Sequence, residues 1–315
     1  GIPEKRLSGP EYFDIVDEFM QAVYARWPNV IVQFEDFETP KAVPLLARYR
    51  HKYRMFNDDI QGTGSVTLSG MLSALRNAGE SITDCRVLCV GAGSAGLGVC
   101  EQIVDGMVEA GLPRDEAMKR FVVTTSTGAL GKVDGKHGDP NVARKKINSL
   151  TSPWVNEAVS DGTRIADIIM EFKPTVLLGL STVKDTFTEE VVRNMAAVNK
   201  RPIIMPMSNP TDKAECTPEQ AYKWTDGNAV VATGSPFQPV TMKVSSGQTK
   251  SFIPSQCNNM YIFPGVGLAA SVAGVTTITN KMLYLSAKAC TDSMTAEEIA
   301  EGRTFPNIKR IREGV

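Results

Sequence analysis

From residue 85 onward the chain repeats one pattern: a short uninterrupted apolar run, a turn of small residues, then a helical stretch. The runs are RVLCVGAG, FVVTTSTG, TVLLGLS, PIIMPMSNP and AVVATGS. A strand with one wet face alternates apolar and polar residues, whereas a strand covered on both faces need not. Continuous runs spaced by helices such as LGVCEQIVDGMVEAG, TEEVVRNMAAV and PEQAYKW therefore predict an α/β fold. The expected architecture is a Rossmann-like, doubly wound parallel sheet with helices on both faces. With 315 residues, 42% of them hydrophobic, the chain can bury one large core or two ordinary ones. The clearest break is NAGESITD near residue 80, which divides an N-terminal helical and acidic segment, 1–80, from the sheet region and its C-terminal helices, 81–315.

The first segment reads as an amphipathic helix with Tyr12, Ile15, Val16, Phe19, Met20 and Val23 at helical spacing. A strand, NVIVQF (29–34), follows, then a helix through AVPLLARYRHKY and a small-residue helix from about Gly62 to Asn77.

Several function classes are excluded or disfavoured by composition. A net charge of −1 offers no polybasic surface for nucleic acid or anionic membrane. No apolar run approaches the roughly 18–20 residues of a membrane helix. The six cysteines form no CxxC pair, which predicts reduced thiols in an intracellular protein, the cytoplasm being favoured. The chain begins at Gly1, so a natural N-terminus is expected to be missing and an organelle stays open. His51, in a basic helical stretch, and His137, in a Gly/Lys/Asp loop, lack the setting of an oriented base, which argues against serine or cysteine hydrolase chemistry.

The turn after the first run, Gly91-Ala92-Gly93-Ser94-Ala95-Gly96, matches G-x-G-x-x-G between a predicted strand and a predicted helix. Gly91 would make the tight turn, Gly93 would let a pyrophosphate approach the backbone, and Gly96 would let helix and strand pack. The pyrophosphate would rest on free N–H groups at the helix start. Methyltransferases share the pattern, but its context favours a dinucleotide. NAD sites usually end the second strand on a carboxylate that bonds the ribose hydroxyls. Here that place holds Thr124, Thr125, Ser126 and Thr127, followed by Lys132, Lys136, Arg144, Lys145 and Lys146. NADP is therefore favoured over NAD, unless the lysines are merely a solvated loop. The other strand ends collect Ser181-Thr182, Ser208-Asn209-Pro210 and Gly234-Ser235 along the same edge.

Two acidic pairs, Glu35-Asp36 and Asp58-Asp59, sit where strands should end. Hard oxygen donors without His or Cys company suit Mg²⁺ or Mn²⁺. Glu35, Asp36 and Asp59 could supply three ligands; equally, Asp36 and Asp59 could cap the helices that follow them. Residue types and spacing leave both readings open.

The ordered segments VQFEDF, FNDDIQGT, GAGSAG, MSNPT, ATGSPF and NNMYIFPG resemble those of malic enzymes, and the likeness runs from about residue 10 to the C-terminus. The resemblance implies oxidative decarboxylation of malate to pyruvate and CO₂ with reduction of NADP or NAD. It implies that Glu35, Asp36 and Asp59 bind the divalent metal and that Asp58 tunes a general-base lysine. Asn209, Asn258 and Asn259 would contact malate or the nicotinamide end, with Thr125, Ser126 and Ser181 beside the dinucleotide. The family commonly forms dimers and tetramers, so a homo-oligomer is implied for the full-length protein. The stretch Thr124-Thr125-Ser126-Thr127 stands where a ribose-binding Asp is common in the family, and Cys257 replaces the Gly usual before the Asn pair. The family's N-terminal tyrosine acid, lysine base and substrate-binding arginine have no resembling segment here. The expectation is a fragment that folds through residues 80–300, binds nucleotide and turns over malate poorly or not at all alone. The alternatives are a non-catalytic nucleotide-binding module and another Rossmann-fold dehydrogenase.

Overall fold

The computed structural model describes residues 3–137 and 147–314. Helix α1 (Pro10–Arg26) has proline in its first turn, where the missing N–H costs nothing. Strand β1 (Val32–Phe34), helix α2 (Thr39–Tyr49) and strand β2 (Met55–Asn57) follow. The second helix starts earlier than the apolar pattern suggested, because Pro40 lies at its N-terminus. The strand expected over 29–34 shrinks to three residues, and Met55–Asn57, not expected to be a strand, pairs with it in parallel. Met20, Phe34, Leu45, Tyr49 and Met55 form a small core of their own. Ile15 and Phe19 of α1, expected on its apolar face, are 53% exposed.

A single π turn (Asp58–Gly62) leads into α3 (Thr63–Ala78), which is buried along most of its length. Its small residues permit close approach to α4 (Ser94–Glu109) and to the helix Asn280–Asp292. The hydroxyls of Ser69 and Ser73 each lie 3.3 Å from that of Thr291 on the latter helix. Helix α3 lies before the break read near residue 80, whereas both of these packing partners lie beyond it.

Beyond it come β3 (Val87–Val90), α5 (Arg114–Lys119), β4 (Phe121–Thr125), and the short strands β5 (Gly128–Ala129), β6 (Gly131–Lys132) and β7 (Asn156–Ser160). β8 (Val176–Gly179), β9 (Ile203–Pro206), β10 (Val230–Thr233), β11 (Val240–Lys243), β12 (Thr249–Phe252) and β13 (Ser255–Gln256) complete the strands described. Seven of them form one sheet in the order β13-β10-β9-β8-β3-β4-β5, parallel throughout except for β4 with β5. Every residue of β3, β8, β9 and β10 is buried, as expected for strands covered on both faces. Val87 and Cys89 face the layer of α3 and α4, while Leu88 and Val90 face the helices Ile165–Phe172 and Glu189–Val198. Burying each such aliphatic side chain stabilises the fold by about 1.5–3 kcal/mol.

The chain leaves β3 toward β4 and later returns to β8 on the other side of β3. That reversal opens a crevice beyond the strand ends, where open α/β sheets take their ligands. All six cysteines are buried and free. Among the described residues no helix is long and apolar enough to cross a membrane.

Candidate functional site

A groove of about 920 Å³ occupies that crevice. Gly91 through Gly96 form one wall, Thr125 to Gly128 another, and Leu180 to Val183 a third. Gly91 has φ 126°, and a Cβ there would stand 2.4 Å from the Leu180 carbonyl oxygen. Only glycine fits. A Cβ on Gly93, by contrast, would meet nothing within 4 Å, so the backbone at Gly93 faces open groove. This is the geometry a pyrophosphate needs for close approach, with the start of α4 supplying N–H groups.

The end of β4 carries no carboxylate into the groove. Thr125 instead bonds locally, its hydroxyl 3.0 Å from that of Thr127 and accepting from the Thr127 N–H at 3.3 Å. Lys132 and Lys136, expected to draw a phosphate, do not line the groove. They border a separate cavity with Asp134, His137, Glu157 and Glu171, where Lys136 pairs with Asp134 at 3.5 Å. The antiparallel β4–β5 turn sends the chain away from the strand end, which is why they sit there. Arg144, Lys145 and Lys146 lie outside the described residues.

Leu180 also lines a second cavity of about 530 Å³, so the two spaces meet at that side chain. Glu35, Asp58, Asp59, Asn209, Asn258 and Asn259 border it. The β1–β2 register sets Phe34 opposite Asn57, so Glu35-Asp36 and Asp58-Asp59 emerge side by side from two parallel strands. One carboxylate oxygen from each of Glu35, Asp36 and Asp59 lies within 4.8 Å of the others. Neither Asp36 nor Asp59 caps a helix. The residue before α2 is Glu38, and Asn57 caps the π turn by accepting from the Ile60 N–H. Instead the Asp36 N–H, turned inward by a φ of 61°, donates to Asp59 Oδ2 at 2.8 Å.

Without a cation these groups hold their protons more tightly. Burial pushes the Glu35, Asp58 and Asp59 carboxyls above the usual range; the Asp58 charge adds to it at Glu35, the Asp59 charge at Asp58, and the Glu35 charge at Asp59. Asp58 is almost wholly buried, accepts from Asn259 Nδ2 at 3.0 Å through Oδ2, and leaves Oδ1 without a partner. Three converging hard oxygens fit Mg²⁺ or Mn²⁺ and do not fit a softer metal.

The asparagines have distinct attachments. Asn259 spans Asp58 and Thr63, Asn258 accepts from the Met260 N–H at 3.0 Å, and Asn209 accepts from the Ser235 hydroxyl at 2.5 Å. Beneath the cleft lies Glu215, fully buried. Its Oε1 accepts from the Ser181 N–H and hydroxyl, both at 2.9 Å, and from the Ser208 hydroxyl at 2.5 Å. Ser208 in turn accepts from the Thr182 N–H at 2.8 Å. This carboxylate ties the turns after β8 and β9 together.

The profile described as malic enzyme, NAD binding domain, matches residues 60–314, and that of the malic enzyme N-terminal domain matches residues 1–50. The chain belongs to the malic enzyme family. An NADP-dependent malic enzyme of Dictyostelium discoideum is 42% identical over 99% of this chain and 55% of its own length. An NAD-dependent malic enzyme of Photorhabdus laumondii is 43% identical over 99% of this chain and 54% of its own. The chain therefore spans about half the length of these relatives. The crystal structure of an Entamoeba histolytica malic enzyme superposes with TM-score 0.70 at 25% identity, covering 95% of this chain and 54% of that one. A Thermotoga maritima NAD-dependent malic enzyme, at 21% identity and TM-score 0.70 over 97% of this chain, shows the shared fold.

Malic enzyme relatives thus carry both cofactor names at nearly equal identity. Glu35, Asp58, Asp59, Asn209, Asn258 and Asn259 line one cavity and Gly91 to Gly96, Thr125, Ser126 and Ser181 the other, Asp36 joins the carboxylate cluster from its exposed side, and Lys132 and Lys136 lie at neither. Cys257 is buried, and a Cβ on Gly70 of α3 would lie 3.0 Å from its sulfur. Two residues escaped sequence reading. Glu215 lies in a loop indistinguishable from a solvated one, and no motif marks Arg164, which precedes the helix Ile165–Phe172.

Proposed function

We propose that this chain carries the nucleotide-binding and cation-binding half of an enzyme that oxidatively decarboxylates malate to pyruvate and CO₂, with NADP preferred to NAD. The observation that supports this most is the convergence of the Glu35, Asp36 and Asp59 oxygens within 4.8 Å at a cavity that meets the glycine-turn groove. Glu35, Asp36 and Asp59 would hold Mg²⁺ or Mn²⁺, which supplies Lewis-acid polarisation of a substrate oxygen when bound. The nicotinamide coenzyme supplies the hydride acceptor. Gly91 to Gly96 would hold its pyrophosphate, with Ser181 beside it.

The chain's own residues do the positioning. Asn259 fixes Asp58 through a side-chain hydrogen bond, and Asn209 is held by Ser235, so two amides present fixed dipoles to the acidic cavity. Asn258 lines the same wall. Asp58, held by Asn259 at the wall of the acidic cavity, would tune a lysine base brought from elsewhere in the full-length protein. The proton-transfer groups would come from outside this chain, so by itself it should turn over malate poorly. A homo-oligomer is consistent with the exposed Ile15 and Phe19 on α1.

The test is NADPH formation from malate with Mn²⁺, on this chain and on a version extended upstream. Turnover that appears only in the extended protein and only with the metal supports the reading. Nucleotide affinity with no turnover in either form would favour a binding module instead.

A further inference from the structure

We infer that Arg164 is the residue that reads the adenosine 2′-phosphate, and so sets coenzyme choice in the groove. The inference rests on the NADP reading above and names the group responsible for it.

Among the described residues that line the groove, Arg164 is the one charged side chain. Its place is fixed by the backbone before it. The Ala129 N–H donates to the Thr163 carbonyl and the Gly162 N–H to the Ala129 carbonyl, both at 3.0 Å. A Cβ on Gly128 would stand 2.4 Å from the Gly162 oxygen, so the two turns are in tight contact. Arg164 is the next residue, at the start of the helix Ile165–Phe172, and shares the groove wall with Thr125, Ser126 and Thr127. This is the end of β4, where a ribose-binding carboxylate would have repelled a phosphate.

The guanidinium is occupied, but weakly. Its Nε and Nη2 donate to the two oxygens of Asp167 at 2.9 and 3.1 Å. Both side chains are largely exposed, at 70% and 44%, and such pairs within one helical turn contribute little. A dianionic phosphate offers a stronger bidentate partner for the same planar fork. The hydroxyls and N–H groups of the Thr125–Thr127 turn add neutral donors that complement it without competing charge. Lys132 and Lys136, in their separate cavity, are not needed for this contact.

Calorimetric titration with 2′-phospho-ADP-ribose and with ADP-ribose tests the inference without any turnover. The parent chain should bind the phosphorylated probe at least about tenfold more tightly, and Arg164→Ala should bring the ratio to about two or less. Arg164→Lys should restore part of the difference, as a point charge without the fork. Asp167→Ala breaks the same ion pair but leaves the arginine, so it should keep the preference. A preference that survives Arg164→Ala overturns the inference while leaving the NADP reading intact. A preference lost equally in Asp167→Ala means that the pair only shapes the helix start, and also overturns it. A parent chain that binds both probes alike removes the NADP reading and this inference together.

Discussion

Replacing Glu215 by glutamine changes one buried atom and removes the charge that fastens two loops. Oε1 of the carboxylate accepts three hydrogen bonds and Oε2 a fourth, from the Ser208 N–H at 3.4 Å. Hydrogen bonds to a charged group contribute about 1.5–3 kcal/mol each, against about 1 kcal/mol for neutral ones. The amide can keep its oxygen at the Oε1 position, so three bonds survive in neutral form while its NH₂ is turned toward the Ser208 N–H. The loss is then about 2–4 kcal/mol, and for 315 residues with about 2.1 cal/mol/K of unfolding entropy each, one kcal/mol lowers Tm by about 1.5 °C. Glu215→Gln should melt about 3–6 °C below the parent in a calorimetric scan, and Glu215→Ala lower still because it also leaves the donors unpaired. Since Ser181 and Thr182 line the groove, NADPH affinity should fall about tenfold in the same variants. Glu219→Gln, an exposed control nearby, should move Tm by about 1 °C or less. A Glu215→Gln protein that melts with the parent and binds NADPH equally well would refute the reasoning, for the carboxylate would then hold nothing that the groove needs.

The two groove glycines should fail in opposite ways. Gly91→Ala strains a positive φ and strikes the Leu180 carbonyl, so it should lose more than about 2 kcal/mol of stability on denaturant titration. Gly93→Val enters open space from an extended backbone, so Tm should hold within about 1 °C while nucleotide affinity drops at least about tenfold; unaltered affinity would dissociate the turn from nucleotide binding. Mn²⁺ at a hundred times its dissociation constant should add about 2.7 kcal/mol to stability, and Asp59→Asn should abolish the gain. If Asp59→Asn still responds, the cation binds elsewhere. The raised Glu35, Asp58 and Asp59 carboxyls bind protons in the folded state that the unfolded chain releases near pH 4, so the metal-free chain should lose stability as pH rises from about 4 through their folded values. Asp59→Asn should flatten that slope, and Mn²⁺ affinity should rise over the same window, as a thermal-shift series at several pH values would show.

The sheet was readable because its strands are buried on both faces, and such burial leaves a mark in composition that local sequence carries. GAGSAG was readable because backbone conformation and space at Gly91 allow one residue type. The acidic pairs raised a question that sequence could only half answer. Capping or convergence depended on the three-residue pairing of β1 with β2, and Met55–Asn57 is too short to announce itself as a strand. Lys132 and Lys136 misled for a related reason: nearness in sequence to the end of β4 ignored the Gly128 turn, which sends the chain to another face. Glu215 was illegible because its burial arises from contacts with turns 34 and 7 residues away, and nothing local distinguishes it from a solvated acid.

The short β1–β2 ribbon has its own small core, and the main sheet has another. The charged end of the cleft thus has a support of its own, joined to the coenzyme end by Phe56, which packs in the main core, by Asp58, Asn259 and the π turn, and by Arg50 and Arg54, which donate to Asn280 and to the Ala270 carbonyl. Several couplings at different places make the two supports one stiff frame. Drawing the carboxylates onto an ion would then load that frame through β2 and the Asp58–Asn259 bond, so that occupancy at the charged end is felt along the wall that a guest of the neighbouring groove would touch.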